Sequence, residues 1–243
     1  MFSKGSDLMP VFAAIGAHAL DAELMGGAIA LDMNSKGWKT YLIHMTRGER
    51  GASDKDPDIF GAQIEGEMRK CAEKLNSESI WLGYKAGCIP KEKSVIDLCN
   101  TIRRLNIDII ITHWKGSYHP RHVETHDIVI NSIKMANDPS VITQYDTHSV
   151  TGVYFGENME DLDGFAPNVY YDISNYYGNW MNSLECYELF RNKVNKYPYK
   201  EFYSSNSISR GIESGVQYAK ALMIPKVLIN QFDFKMHICN PEY

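Results

Sequence analysis

Residues 11–37 carry the pattern that decides the fold, VFAAIGAHALDAELMGGAIALDMNSKG. An apolar run over residues 11–15 ends in a turn of small residues, and an Ala- and Gly-rich segment follows the turn. A short buried strand that leads through a turn into a helix is the first half of a β-α-β unit. We therefore predict a strand here, then a helix over residues 22–34 with Gly37 just after its end.

The turn places His18 and Asp21 at the carboxyl end of this predicted strand. In open α/β sheets, ligands bind beyond that end of the strands. An imidazole and a carboxylate three residues apart can face one point, as two ligands of one metal ion do. A hydrogen-bonded pair without a metal has the same spacing, so these two residues alone do not decide between the alternatives.

The same strand–helix alternation continues to residue 137. Apolar runs predict strands at residues 40–45, 79–83 and 107–112, and amphipathic segments predict helices at about residues 60–75, 91–105 and 123–137. Such alternation is typical of a parallel sheet with helices on both faces. The prediction is an α/β, Rossmann-like three-layer fold with a mostly parallel sheet, in a single domain spanning residues 1–243.

From residue 138 the alternation weakens. We predict strands at residues 151–155 and 168–173, a long helix over residues 174–195, and a second helical segment within residues 204–222. The tail, residues 226–243, is apolar and aromatic and carries no motif that assigns it a role. It would suit a subunit interface or pack against its own sheet, so a homo-oligomer is left open.

Composition and charge exclude several classes of protein. The net charge of −5 and the absence of a Lys/Arg run argue against nucleic-acid binding. No apolar stretch approaches the roughly 20 residues that span a bilayer, and no signal peptide is recognised. Five scattered cysteines without a CxxC pair suggest reduced thiols. A cytoplasmic protein is the expectation.

A histidine-rich segment, HWKGSYHPRH at residues 113–122, follows the predicted strand at residues 107–112. Its last residue, His122, would meet His18 and Asp21 at the same edge of the sheet. Two imidazoles and one carboxylate form a common catalytic zinc set that leaves one coordination position for water. On spacing alone, a metal site and a group of hydrogen-bonded loop histidines are equal alternatives.

Four ordered motifs identify a family. They are HALDAE at residues 18–23, TRGE at 46–49, HPRH at 119–122, and RG followed by GVQYA at 210–219. Together they resemble the PIG-L (LmbE-like) N-deacetylases, zinc hydrolases that remove acetyl groups from N-acetylglucosamine-type substrates. The resemblance covers about residues 10–225.

This resemblance implies an active site. The family's metal ligands fall on His18, Asp21 and His122, which would hold Zn²⁺ or another divalent metal. The histidine that stabilises the tetrahedral intermediate or protonates the leaving amine falls on His119. The implied substrate is an N-acylated amino sugar or a related small molecule.

Residues that would contact the substrate lie in two loops, residues 46–54 and 113–119, which we expect to form the walls of the site. We assign Arg47, Trp114 and Tyr118 to substrate binding, since Trp114 and Tyr118 could stack on a sugar ring. Aromatic loop residues more often pack against the protein, and that alternative stays open.

The chain departs from the family pattern at three positions. The general-base aspartate of the first motif is replaced by Leu20, and the aspartate of HPDH that pairs with the catalytic histidine is replaced by Arg121. An arginine often found on the third element is replaced by Ile64, while Glu67 is kept.

Leucine cannot accept a proton, and loss of a positioned general base lowers rates by about 10²–10⁴. A cation directed at His119 would disfavour its protonated form. The three ligands need none of the replaced groups, so we expect metal binding with weakened or altered hydrolysis. The alternatives are a non-catalytic metal- or sugar-binding relative and another reaction at the same metal. Another carboxylate near in sequence could serve as the base, and the candidates are Glu23, Glu49 and Glu124.

Overall fold

A computed structural model describes residues 9–224. The elements in chain order are β1 (Val11–Gly16), α1 (Asp21–Ser35), β2 (Lys39–Thr46), α2 (Pro57–Lys74), β3 (Glu78–Tyr84), α3 (Lys91–Leu105), β4 (Ile109–Thr112), α4 (Pro120–Asn137), β5 (Gly152–Gly156), β6 (Val169–Asp172), α5 (Tyr177–Leu184), α6 (Tyr199–Ser214) and β7 (Ala219–Met223). Among these residues, no helix combines the length and the apolar composition that crossing a bilayer requires.

The strands form one sheet in the order β3-β2-β1-β4-β5-β7-β6. The pairs β2–β3, β1–β2, β1–β4 and β4–β5 are parallel, and β7 runs antiparallel to both β5 and β6. The predicted mostly parallel α/β fold is confirmed.

The sheet is buried on both faces, because successive side chains of a strand point to opposite sides. On β1, Phe12 and Ala14 belong to one core, which also contains side chains of α1, α2 and α5. Ala13 and Ile15 belong to a second core, which contains side chains of α3 and α4. This three-layer packing accounts for the continuous apolar runs of the parallel strands.

The position of β1 decides where a ligand can bind. β1 pairs with β2 on one side and with β4 on the other. Strands β2 and β3 are added to the sheet on one side of β1, and β4 and β5 are added on the other side, so the strand order reverses between β1 and β4. At such a switch point, the loops that follow the two strands leave the sheet on opposite faces and open a crevice between them. The turn with His18 and the histidine-rich loop after β4 both border this crevice.

Most predicted elements of the first half are confirmed, with ends that move by a few residues. Helix α1 extends one residue beyond the prediction at each end, and Gly37 adopts a φ of 83° just after it. Helix α4 begins at Pro120 rather than near residue 123, because His119 serves as its N-cap and Pro120 fits the first helical position.

The long helix predicted over residues 174–195 is wrong. Helix α5 ends at Leu184, and the chain continues in tight turns, the first of which has the Tyr187 N–H bonded to the Leu184 carbonyl at 3.0 Å. These turns bring the Tyr187 hydroxyl within 2.6 Å of the buried Glu23 carboxylate. The apolar stripe was correctly predicted to be core, but it does not lie on one helix.

The helical segment predicted within residues 204–222 is correct only at its start. Helix α6 ends at Ser214, where Gly215 adopts a left-handed φ of 75° and the helix cannot continue. Residues 219–223 form β7, which fills the space between β5 and β6. The role predicted for the tail falls on residues 226–243, which lie outside the described residues.

One lysine is buried in this part of the sheet. Lys220, on β7, is 3% exposed, and its Nζ lies 4.1 Å from the centroid of the Trp180 ring and 5.3 Å from that of Tyr203. Burial lowers the pKa of Lys220 to about 7, and the nearby charge of Glu157 only partly opposes this shift. The folded protein therefore lowers the pH at which this lysine releases its proton.

We predict a pH-dependent stability from Lys220. Above pH 7 the folded state releases a proton that the unfolded lysine keeps up to about pH 10.4, so stability rises with pH in that window. The free energy of unfolding of wild type minus that of Lys220→Met should increase between pH 7 and pH 9.5, by at most about 1.4 kcal/mol per pH unit.

Chemical denaturation at each pH measures this difference. The exposed Lys70 of α2 provides the control, because Lys70→Met should differ from wild type by a constant amount. A constant difference for Lys220→Met as well would show that Lys220 stays charged in the folded protein.

Candidate metal centre

The three predicted ligands meet at the carboxyl ends of β1 and β4. Asp21 is the first residue of α1 and lies against the end of β1, where Gly16 leaves room for it. A Cβ at position 16 would lie 2.6 Å from the Cβ of Asp21. The Asp21 Oδ2 lies 3.2 Å from His18 Nδ1 and 3.5 Å from His122 Nε2. The fold therefore brings together the three side chains that the sequence analysis selected.

The two distances from Asp21 are compatible with a metal ion. Zinc bonds of about 2.0–2.1 Å in tetrahedral geometry place neighbouring donor atoms about 3.3–3.4 Å apart. The two measured separations bracket that value, and the donor atoms of His18, His119 and His122 also lie within 4.8 Å of one another. Imidazole nitrogens and a carboxylate oxygen are the ligand types that suit zinc or ferrous iron.

Asp21 is the electrostatic centre of the group. Burial by itself raises the pKa of Asp21, but the charge of His122 and hydrogen bonds from His122 and His18 hold it well below its usual value. Its Oδ2 also accepts a hydrogen bond of 2.8 Å from the backbone N–H of His18. The carboxylate is thus ionised at neutral pH, as a metal ligand must be.

His122 is held from behind by groups that sequence analysis did not identify. Its Nδ1 lies 3.2 Å from Ser117 Oγ and 3.2 Å from Glu160 Oε2. A carboxylate that accepts from the second nitrogen of a metal-binding histidine fixes the ring and raises its basicity. Glu160 follows β5, which is the parallel neighbour of β4. Its place after a strand of the parallel sheet is the sequence feature that could have indicated a role for Glu160 at the site.

His113 stands beside the ligands but is engaged elsewhere. Its ring is fully buried and stacks on His122 with 3.9 Å between centroids. Its Nε2, 3.4 Å from the Asp21 Oδ2, accepts the Ala17 N–H at 3.0 Å. Burial lowers the pKa of His113 to about 3, so a neutral ring packs behind the site and its nitrogen lone pair is already used.

The predicted catalytic histidine, His119, lies at the start of α4 beside the ligands. Its ring centroid is 5.0 Å from that of His18 and 4.7 Å from that of His122. The Nδ1 of His119 accepts the backbone N–H of Arg121 at 3.3 Å, which leaves Nε2 as the protonated nitrogen of the neutral ring. Burial and the charges of His122 and His18 lower the pKa of His119 to about 4.

Arg121 affects His119 little. Its guanidinium pairs with Glu124 at 2.5 Å on the surface of α4. Its charge also lowers the pKa of His119, in the direction expected from the sequence, but it contributes less than burial and the neighbouring histidines do. The loss of the family aspartate at this position leaves His119 oriented by backbone rather than by a carboxylate.

A cavity of about 330 Å³ opens over the ligands. One wall comes from α1 and α2, a second from the loop after β2, and a third from segments that follow β5 and α5. Besides the ligands and His119, the lining residues are Ala19, Leu20, Leu24, Arg47, Gly48, Arg50, Gly51, Phe60, Ile64, Glu67, Ala86, Asn158, Met159, Glu160, Tyr187, Leu189, Val194, Asn195, Tyr199 and Tyr203.

Of the three residues assigned to substrate binding, one lines this cavity. Arg47 does so, with its guanidinium 4.2 Å from the Trp81 ring centroid. The indole of Trp114 donates to the Asp163 carbonyl at 2.7 Å, and Tyr118 is 79% exposed. Their assignment to substrate binding stays a prediction. Neither lines the cavity formed by residues 9–224, and the loop at residues 113–119 contributes only His119.

The three glutamates considered as replacement bases have other partners. Glu23 is buried and bonds to His44 at 3.0 Å. Glu49 accepts the Ala86 N–H at 2.8 Å, and Glu124 pairs with Arg121. Within residues 9–224, none of the three lines the cavity.

Leu20 lies between two ligands in an unusual backbone conformation. Its φ is 80°, and its side chain is 1% exposed at the cavity wall. Left-handed φ values favour Gly, Asn and Asp, and a bulky residue adopts them rarely. The turn thus has the backbone that suits an aspartate but carries an aliphatic side chain.

We predict that Glu160 supports metal binding through His122. In Glu160→Ala, the Kd for zinc should rise about 10–100-fold, because the ring of His122 loses its carboxylate partner. Titration with a competing chelator measures it. The matched control is Glu67→Ala, which removes another carboxylate of the cavity that contacts no ligand, and its Kd should stay within about twofold. Equal Kd values for the two variants would contradict the prediction.

Comparison with known proteins supports the family assignment. The family model described as GlcNAc-PI de-N-acetylase (PIG-L) matches residues 13–133. This range contains the three candidate ligands and His119.

The fold is shared with several solved structures. The conserved protein TT1542 from Thermus thermophilus is 20% identical, with a TM-score of 0.78 over 89% of this chain and 95% of that one. The 4-carboxy-2-hydroxymuconate hydratase GalB from Pseudomonas putida is 16% identical, with a TM-score of 0.80 over 90% and 98%. The N,N'-diacetylchitobiose deacetylase from Pyrococcus horikoshii is 17% identical, with a TM-score of 0.76 over 93% and 87%. With the family match, the four sequence motifs and the ligand geometry in agreement, this chain belongs to the PIG-L family.

Proposed function

We propose that this protein is a metal-dependent amide hydrolase of the PIG-L deacetylase type. Its substrate is an N-acylated amino sugar or a related small molecule, and its metal is zinc or another divalent ion. The observation that carries the proposal is the convergence of His18, Asp21 and His122 at donor spacing that fits a metal, on the floor of one cavity. The family match supports the reaction class.

A divalent metal held by these ligands would polarise the substrate carbonyl and acidify a water molecule. His119 is placed to donate from Nε2 into the cavity, since its Nδ1 accepts a backbone N–H. In that role it stabilises negative charge on the carbonyl oxygen and assists departure of the amine. Arg47 and Arg50 offer donors to the hydroxyl groups of a sugar from the loop after β2.

The proposed activity is slower than that of relatives with an aspartate at position 20. Of the carboxylates that line the cavity within the described residues, Asp21 is a ligand and Glu160 is engaged by His122. Glu67 accepts a hydrogen bond from Gln63 at 2.9 Å. None of them occupies the place of Leu20, so deprotonation of the attacking water lacks its usual partner.

Two alternatives have different signatures. A non-catalytic relative would bind metal or sugar without turnover. The second alternative is an enzyme that catalyses a different reaction at the same metal. One protein with a similar fold is a hydratase. We favour hydrolysis because the three candidate ligands, His119 and an open cavity are all present. The cytoplasmic location and a homo-oligomeric state remain predictions from the sequence.

The test is metal analysis followed by release of acetate from N-acetylglucosamine conjugates by zinc-loaded protein. We expect slow release by the wild type, and an increase of up to about 10²–10⁴ in Leu20→Asp, because an aspartate fits the left-handed backbone and supplies a base. The matched control is Leu20→Asn, which fits the same backbone but accepts no proton.

The outcomes separate the alternatives. Release by Leu20→Asp with none by the wild type identifies a non-catalytic relative. Equal rates for Leu20→Asp and Leu20→Asn would contradict the role given to position 20. Failure of the wild type to bind zinc at neutral pH would remove the basis of the proposal.

A further inference from the structure

Two of the three departures from the family pattern lie on one wall of the cavity. Leu20 stands where the family has an aspartate, Ile64 stands where it often has an arginine, and both line the cavity. The sequence separates them by 44 positions, and only the packing of α1 against the sheet beside α2 brings them to one place.

Each of these side chains has an apolar neighbour that also lines the cavity. Leu24 lies in the first turn of α1, just after the turn that carries Leu20. Phe60 and Ile64 lie four residues apart on α2, the spacing at which side chains share one helix face. All four line the cavity, and each is at most 6% exposed. The wall is continuous with one hydrophobic core, to which all four belong. We call these four residues the apolar wall.

The rest of the cavity lining is mixed. Arg47 and Arg50 border the cavity on the loop after β2, and Asn158 and Asn195 border it beside the apolar Met159, Leu189 and Val194. The cavity therefore offers hydrogen-bonding groups at several positions, whereas the four side chains of the apolar wall offer none. A substrate that fits both kinds of lining has a polar end and an apolar end, with the reacting bond between them at the ligands.

We propose that the apolar wall binds the acyl group of the substrate, and that this group is an alkyl or aryl chain longer than acetyl. The proposal rests on the proposed function for the reaction itself. In that reaction the C–N bond of the amide breaks, the oxygen of water becomes bonded to the acyl carbon, and the amine leaves with a proton. The acyl side of the amide then faces Leu20, and the amine side faces the hydrogen-bonding groups.

Burial of the chain supplies the physical reason. Each methylene group moved from water into an apolar site contributes about 0.8 kcal/mol, which corresponds to about a fourfold gain in affinity. A sugar hydroxyl placed against the same wall would lose its hydrogen bonds to water without replacement. The two aliphatic replacements therefore change what the cavity prefers, in addition to removing a base.

A series of linear alkyl hydroxamates, from acetyl to octanoyl, tests the proposal without requiring turnover. The hydroxamate group chelates zinc, and the chain extends from the position of the acyl carbon. With zinc-loaded wild-type protein, calorimetry should show affinity rising by up to about fourfold per added methylene over the first several members. Affinity that is constant or falls beyond acetyl would overturn the proposal.

A variant of Ile64 tests whether the alkyl chain of the hydroxamate binds at the apolar wall. In Ile64→Asn, affinity for acetohydroxamate should stay within about twofold while the gain per methylene is reduced. The control Ile212→Asn changes an isoleucine of α6 that is 77% exposed, and it should keep the wild-type series. Zinc affinity and thermal unfolding report whether each variant is folded. If folded Ile64→Asn showed the same gain in hydroxamate affinity per methylene as the wild type, the alkyl chain would bind elsewhere and the proposal would be contradicted.

Hydrolysis of N-acetyl-, N-butanoyl- and N-hexanoylglucosamine separates this proposal from the proposed function. If affinity rises along the hydroxamate series but no conjugate is hydrolysed, the proposed hydrolase function is refuted and the proposal that the apolar wall binds an acyl chain is supported. Hydrolysis of the acetyl conjugate with a flat hydroxamate series would support the hydrolase and refute the wall. A protein that binds no zinc would refute both.

Discussion

The buried carboxylate of Asp21 is the interaction on which the site depends. One of its oxygens is surrounded by nitrogens of His18, His113 and His122, all within 3.5 Å. Such an arrangement of one anion among imidazoles holds the carboxylate ionised although it is removed from water. It requires that the turn after β1 and the loop after β4 lie side by side, and hence that β1 pairs with β4.

The same turn carries the feature that separates this chain from its family pattern. Leu20 keeps a left-handed backbone that an aspartate would adopt more easily, and the ligands on either side of it still converge. The turn therefore combines a left-handed backbone with a side chain that cannot accept a proton. Under the proposed function, metal binding depends on the first property, and rate on the second.

Much of the first half of the fold could be predicted from the sequence, because its strands are continuous apolar runs and its helices have clear stripes. In the second half, strands β5 and β6 were predicted within one residue at each end. The long helix after residue 174 and strand β7 were not predicted, since the apolar residues there are buried in turns as well as in a helix. Tyr187 is an example, because it is buried outside any helix and its hydroxyl donates to Glu23, 164 positions away. Strand β7 was missed because its partners β5 and β6 are distant along the chain.

The sequence by itself determined the fold class, the three candidate ligands and His119, because these reside in local motifs at the ends of strands. It also indicated that Leu20 stands in place of a general base, which stays a prediction. Only the tertiary structure decided that Glu160 contacts His122 from behind, that Trp114 and Tyr118 lie outside the cavity, and that α1 and α2 form one apolar wall. These are contacts between segments far apart along the chain, and they depend on how helices and loops pack over the sheet.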